Sequence, residues 1–106
     1  MALSQQGGDR EWRFQALLAA AAVEAASGRM AKAVQLMQAL HAEASRTGYV
    51  PYQLQARFRL AQLHLKSNGR LGRNQLAGVQ HDAQAQGFLL IARQAAEALH
   101  GNAASP

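Results

Sequence analysis

"RTGYVPYQLQARFRL", residues 46–60, is followed by a shorter version of itself, "AQGFLLIARQAAEAL", at residues 85–99. Glu43-Ala44 and Gly48-Tyr49 recur 39 positions later as Asp82-Ala83 and Gly87-Phe88. Beyond the turn the offset becomes 36, where Leu54 matches Leu90, Ala56-Arg57 matches Ala92-Arg93, and Leu63-His64 matches Leu99-His100. The first copy therefore carries three extra residues around "VPY". The recurring unit reads as a helix, a glycine stop, an aromatic residue and a second helix bearing Ala-Arg. One helical hairpin cannot bury its apolar stripe alone. A second hairpin stacked beside it completes a core, which is the logic of repeat folds.

Around this unit the chain is rich in Ala, Leu and Gln, and Val, Ile and Thr occur only six times in 106 residues. That composition favours helix over strand. The spacing predicts five helices. The first runs from an Asp9 cap to about Ala26, with Trp12, Ala16, Ala19, Val23 and Ala26 as its stripe and Gly28 as its stop. The second, 30–47, places Met30, Ala33, Met37, Leu40 and Ala44 on one face and ends at Gly48. Pro51 suits the first turn of the third, which is lined by Leu54, Phe58, Ala61 and Leu65 and closed by Asn68-Gly69. The fourth, about 71–86, carries Leu76, Val79 and Ala83, with Gly78 inside it either for close packing or merely tolerated. The fifth spans about 88–99. The expectation is an all-α array of about five antiparallel helices, stacked as hairpins over residues 9–100. A flexible leader (1–8) and tail (101–106) flank it.

Gly28, Met30, Ala33, Met37 and Leu40 have the spacing of the glycine, aromatic, small, aromatic and small positions of a tetratricopeptide repeat. The chain resembles a degenerate member of that family. Methionines stand for the aromatics, and the proline that ends the family's second helix is missing. Gly28 to Gly69 is 41 residues, against a family period of about 34. Residues 76–99, "LAGVQHDAQAQGFLLIARQAAEAL", look like the closing helices of the α-helical repeat regions of multidomain bacterial regulators and signalling proteins. The resemblance implies a short solenoid fragment of the kind found within larger regulatory proteins. It implies a scaffold that binds a protein partner or parent-protein domains, and it supplies no catalytic residues.

Composition narrows the function classes. There is no cysteine, which removes disulfides and thiolate metal sites and suits a cytoplasmic chain. The longest apolar run, Ala16–Val23, is far short of the roughly 20 residues a membrane helix needs. Asp9, Glu11 and Glu24 spoil a signal-peptide reading of residues 10–26. His41, His64, His81 and His100 form no i, i+4 pair, so no metal or other cofactor is expected. His64 and His100 are repeat equivalents at helix C-termini, where imidazolium complements the dipole. Six carboxylates are few for acid–base catalysis, and Glu43 and Asp82 read as structural equivalents. Ser4, Ser27, Ser45, Ser67 and Ser105 fall at helix ends or in the tails, where capping accounts for most of them. No enzyme is expected.

Two surfaces are candidates for binding. Lys and Arg outnumber Asp and Glu by 11 to 6, and Arg59, Lys66, Arg70 and Arg73 form a basic stripe for an acidic peptide or for phosphates. The same stripe also reads as a solvated helix end. The rival binding class is a small nucleic-acid-binding domain, with helix 4 as the second helix of a helix-turn-helix. Leu76, Val79 and Ala83 weigh against it by claiming one face of that helix for the core. The second surface is the run Phe88-Leu89-Leu90-Ile91-Ala92, which encircles its helix and cannot all face one neighbour. It is either wedged under a further layer or a docking edge built on Phe88, Leu89 and Leu90. The docking reading has Leu89 or Leu90 exposed, with a second copy or the rest of a longer protein as partner. Glu43 is expected to face Arg57, and Asp82 to face Arg93, across their hairpins.

Overall fold

A computed structural model describes the backbone of residues 2–104 and the side chains of residues 10–100. Five helices follow one another: α1 (Ala2–Ala26), α2 (Met30–Thr47), α3 (Val50–Ser67), α4 (Gly69–Ala85) and α5 (Leu89–Ala104). Each packs against the next in sequence. In addition α1 touches α3 and α3 touches α5, whereas α2 and α4 make no such contact. Odd helices thus form one layer and even helices the other. The overall dimensions of 51 × 33 × 20 Å agree, because 20 Å is the thickness of two helix layers of about 10 Å each. Among the described residues there is no strand, and no helix is long and apolar enough to cross a membrane.

Three of the connections share one device. Gly28, Gly48 and Gly87 adopt φ of 85°, 78° and 85°, a left-handed conformation that a Cβ would oppose. After each, the next residue's N–H reaches back to a carbonyl five positions earlier: Arg29 to Glu24 (2.8 Å), Tyr49 to Ala44 (2.9 Å) and Phe88 to Ala83 (2.8 Å). The glycine–aromatic echo is this helix stop. The α3–α4 connection uses side-chain capping instead, with Asn68 Oδ1 accepting from the Leu71 N–H at 3.2 Å.

The buried positions of the even helices coincide along their whole length. Ala33, Met37, Leu40 and Ala44 of α2 and Gly72, Leu76, Val79 and Ala83 of α4 are the buried residues of the two helices, each 39 positions apart. Two clusters form the core. Phe14, Ala21 and the α2 face pack with Ala56, while Leu54, Phe58 and Ala61 pack with the α4 face and with Ile91, Ala92 and Ala95. α3 is the wall they share. No polar side chain is buried among the described residues.

Three expectations need correction, and one open alternative is decided. The predicted stripe of α1 faces outward, with Trp12 73% and Val23 60% exposed, and Ala16, Ala19 and Ala26 exposed as well. The inward face is Phe14, Leu17, Leu18, Ala21 and Ala25. An Ala-rich helix is apolar on more than one side, so periodicity does not select a face. The aromatic contacts do: the Phe14 ring lies 5.3 Å from that of Tyr49 and 4.8 Å from that of Tyr52. The "VPY" insertion thereby acquires a role, because it brings Tyr52 against α1, where its hydroxyl accepts from Gln15 Nε2 at 2.9 Å.

The second correction is at the ends. Helical backbone begins at Ala2, so the expected leader from residue 2 onward is helix, and Asp9 lies within α1 rather than capping it. Helix also continues through residues 101–104 of the expected tail; residues 1, 105 and 106 lie outside the described residues.

Thirdly, the predicted ion pairs exchange partners. Arg57 Nη1 lies 2.8 Å from Asp82 Oδ2, across α3 and α4. Glu43 instead meets Arg13 of α1 at 3.7 Å and Arg46 of its own helix. Among the described residues Arg93 reaches only Glu97, one turn along α5, at 4.0 Å. Ala56 takes the α3 side that faces α2, and Arg57, about 100° further round, points to α4. Finally, the glycine forced by close packing is Gly72, where an added Cβ would lie 2.5 Å from Leu65 Cα. At Gly78 it would meet only the Arg57 guanidinium, at 3.5 Å.

Candidate functional site

Arg59, Gln62, Leu63 and Lys66 recur at helical spacing along α3 and form one wall of a groove of about 290 Å³. Leu18, Ala21, Ala22 and Ala25 of α1 form the opposite wall, and Met37 of α2, itself fully buried, lies beneath the groove floor. The groove exists because α1 is built from alanines where it passes α3. Short side chains on one helix leave room that the long ones on the other do not fill. Arg59 is steadied on its own helix, its Nη1 donating to Gln62 Oε1 at 3.2 Å and its guanidinium lying 5.6 Å from the Phe58 ring centre. Among the described residues neither Arg59 nor Lys66 has a carboxylate within 4.0 Å, and none lines the groove. An apolar trough with two uncompensated cations on its rim suits a ligand that combines carboxylates with an apolar face.

The structure divides the expected stripe. Arg59 and Lys66 share the groove wall, while Arg70 and Arg73 stand exposed on the first turn of α4 and do not line it. On α4, Gly72, Leu76, Val79 and Ala83 are buried, and Gln75 is held by His64, whose Nδ1 lies 2.8 Å from Gln75 Oε1. Among the described residues no cluster of three His, Asp or Glu is placed to hold a metal ion.

At the other end of the stack Leu89 and Leu90 are each 66% exposed, while Phe88 is half-buried and packs on the α3–α5 core. The five-residue apolar run thus splits. Ile91 and Ala92 face inward, Phe88 bridges, and the two leucines face solvent.

The groove's α1 wall escaped sequence reasoning, because Ala21, Ala22 and Ala25 carry no local mark that separates a groove wall from a buried helix. The only available signal was the pairing of an alanine-only segment with a helix bearing long basic side chains at 59 and 66. No family model, curated protein or solved structure matches the chain.

Proposed function

We propose that the chain is a non-catalytic helical-repeat module of the cytoplasm that binds an acidic, partly apolar segment of another protein along the α1–α3 groove. The observation that carries this reading is the groove itself, with its apolar floor and with Arg59 and Lys66 lacking carboxylate partners on its rim. The repeat part rests on the coincidence of the α2 and α4 buried positions and on the three shared glycine stops. Odd helices that line one layer and leave a groove between them are what supports the tetratricopeptide-like part of this reading.

The test is fluorescence anisotropy with a labelled amphipathic peptide that carries a leucine face flanked by glutamates. Binding is expected, and Arg59→Glu with Lys66→Glu should weaken it by about tenfold or more, the equivalent of about 1.4 kcal/mol. Arg70→Glu should change it little, since that residue is off the groove. Random duplex DNA and RNA, titrated over a salt series, supply the rival outcome. A steep loss of affinity with salt for nucleic acid, with no peptide binding, would overturn the protein-binding reading.

A further inference from the structure

The ion pairs that displaced the predicted ones form a series. Glu43 on α2 meets Arg13 on α1, and Asp82 on α4 meets Arg57 on α3. In each pair an acid near the C-terminus of an even helix meets an arginine on the odd helix before it. The even helices present the acid in one context: Met37-x-x-Leu40-x-x-Glu43-Ala44 and Leu76-x-x-Val79-x-x-Asp82-Ala83. In both, the two large apolar residues and the alanine are buried.

α5 repeats the odd-helix side of this pattern without its complement. Arg93 corresponds to Arg57, but its sole carboxylate neighbour among the described residues is Glu97 of the same exposed helix face, at 4.0 Å. Leu90 corresponds to Leu54, which is 1% exposed because α4 and α5 cover it, whereas Leu90 is 66% exposed. Further along α5 the correspondence fails on this face. Where α3 has buried Phe58 and Ala61, α5 has Gln94 and exposed Glu97. A partner therefore meets α5 only over its first two turns.

From this we infer that the Leu89–Leu90–Arg93 surface of α5 receives the C-terminal part of a partner's amphipathic helix that presents Φ-x-x-Φ-x-x-(Asp/Glu)-Ala, with Φ a large apolar residue. The leucines take the apolar positions and Arg93 takes the carboxylate, as Arg57 takes Asp82. Charge complementarity selects this occupant, because the chain's own two helices of this pattern already have their acids engaged by Arg13 and Arg57. The inference rests on the repeat register and not on the groove, so either surface can fail without the other.

The probe is the chain's own pattern, a labelled and blocked peptide of residues 69–86, titrated into the full chain. The contact is small, well below the roughly 1,600 Å² of a standard interface, so a Kd of roughly 100 µM is expected. Amide resonances of residues 88–94 should shift. Arg93→Glu in the chain, or Asp82→Asn in the peptide, should each weaken binding about tenfold, and an Asp82→Lys peptide should restore binding to the Arg93→Glu chain. Leu90→Gln should abolish it with no loss of helical circular dichroism, since that side chain is exposed. Absence of binding at about 1 mM peptide, or binding indifferent to Arg93 and Leu90, overturns the inference. So does concentration-dependent sedimentation that needs Leu90 and Arg93 while the peptide fails to bind, which would make a second copy the occupant.

Discussion

Gly72 and Gly78 stand six residues apart in α4 and have opposite significance. At Gly72 α3 comes so near that a methyl group would sit 2.5 Å from Leu65 Cα and 2.6 Å from its backbone nitrogen. Backbone cannot swing aside as a side chain can, so α3 and α4 would have to separate. Gly72→Ala should lower stability by about 1–3 kcal/mol, the usual range for overpacking. At Gly78 the nearest group is the end of the Arg57 side chain, at an ordinary 3.5 Å. Gly78→Ala should therefore be neutral or stabilising by up to about 1 kcal/mol, since alanine is the better helix former. Thermal or urea unfolding of the two variants side by side measures the contrast. The neighbouring Arg57–Asp82 pair is partly exposed, and its contribution is at most about 1 kcal/mol.

Among the elements, α1 distinguishes itself by being apolar on two sides. Phe14 is fully buried between α1 and the α2–α3 turn, whereas Trp12, two residues earlier, points to solvent. Phe14→Ala should cost about 3–5 kcal/mol, the range for emptying a large aromatic site. Trp12→Gln should stay within about 0.5 kcal/mol of the parent. Circular dichroism melts give the stability difference, and the emission of Trp12 should already be that of a water-exposed indole in the folded chain. The reverse ranking would restore the outer stripe as the packed face.

In the whole molecule α3 is the common element. It gives Ala56 to the cluster with α1 and α2, and Leu54, Phe58 and Ala61 to the cluster with α4 and α5. Opening either end of the stack leaves α3 covered on its other side. Native-state hydrogen exchange should consequently be slowest in the middle of α3 and faster towards α1 and α5. Phe14→Ala should accelerate exchange in α1 and α2 more than in α4 and α5, because it removes contacts from one cluster only. Equal acceleration throughout would mean that the stack opens as a single unit.

Helix content, the glycine stops and the inward faces of α2 and α4 were legible in the sequence. Each of those features is local: left-handed Gly48 and Gly87 end a helix by themselves, and one apolar stripe on an otherwise polar helix has only one way to turn. The five apolar residues encircling α5 allowed either a wedged helix or an exposed Leu89 or Leu90, and both leucines are exposed. The tertiary structure decided what depends on a neighbour. Alanine is apolar in every direction, so the face that α1 buries was set by Tyr49 and Tyr52 meeting Phe14. Arg57 chose Asp82 over Glu43 because the rotation of α3 aims it at α4, and sequence level alone carries no rotation. The groove came last of all, since it is the space left between alanines on α1 and long side chains on α3, and a space between two helices has no residue of its own.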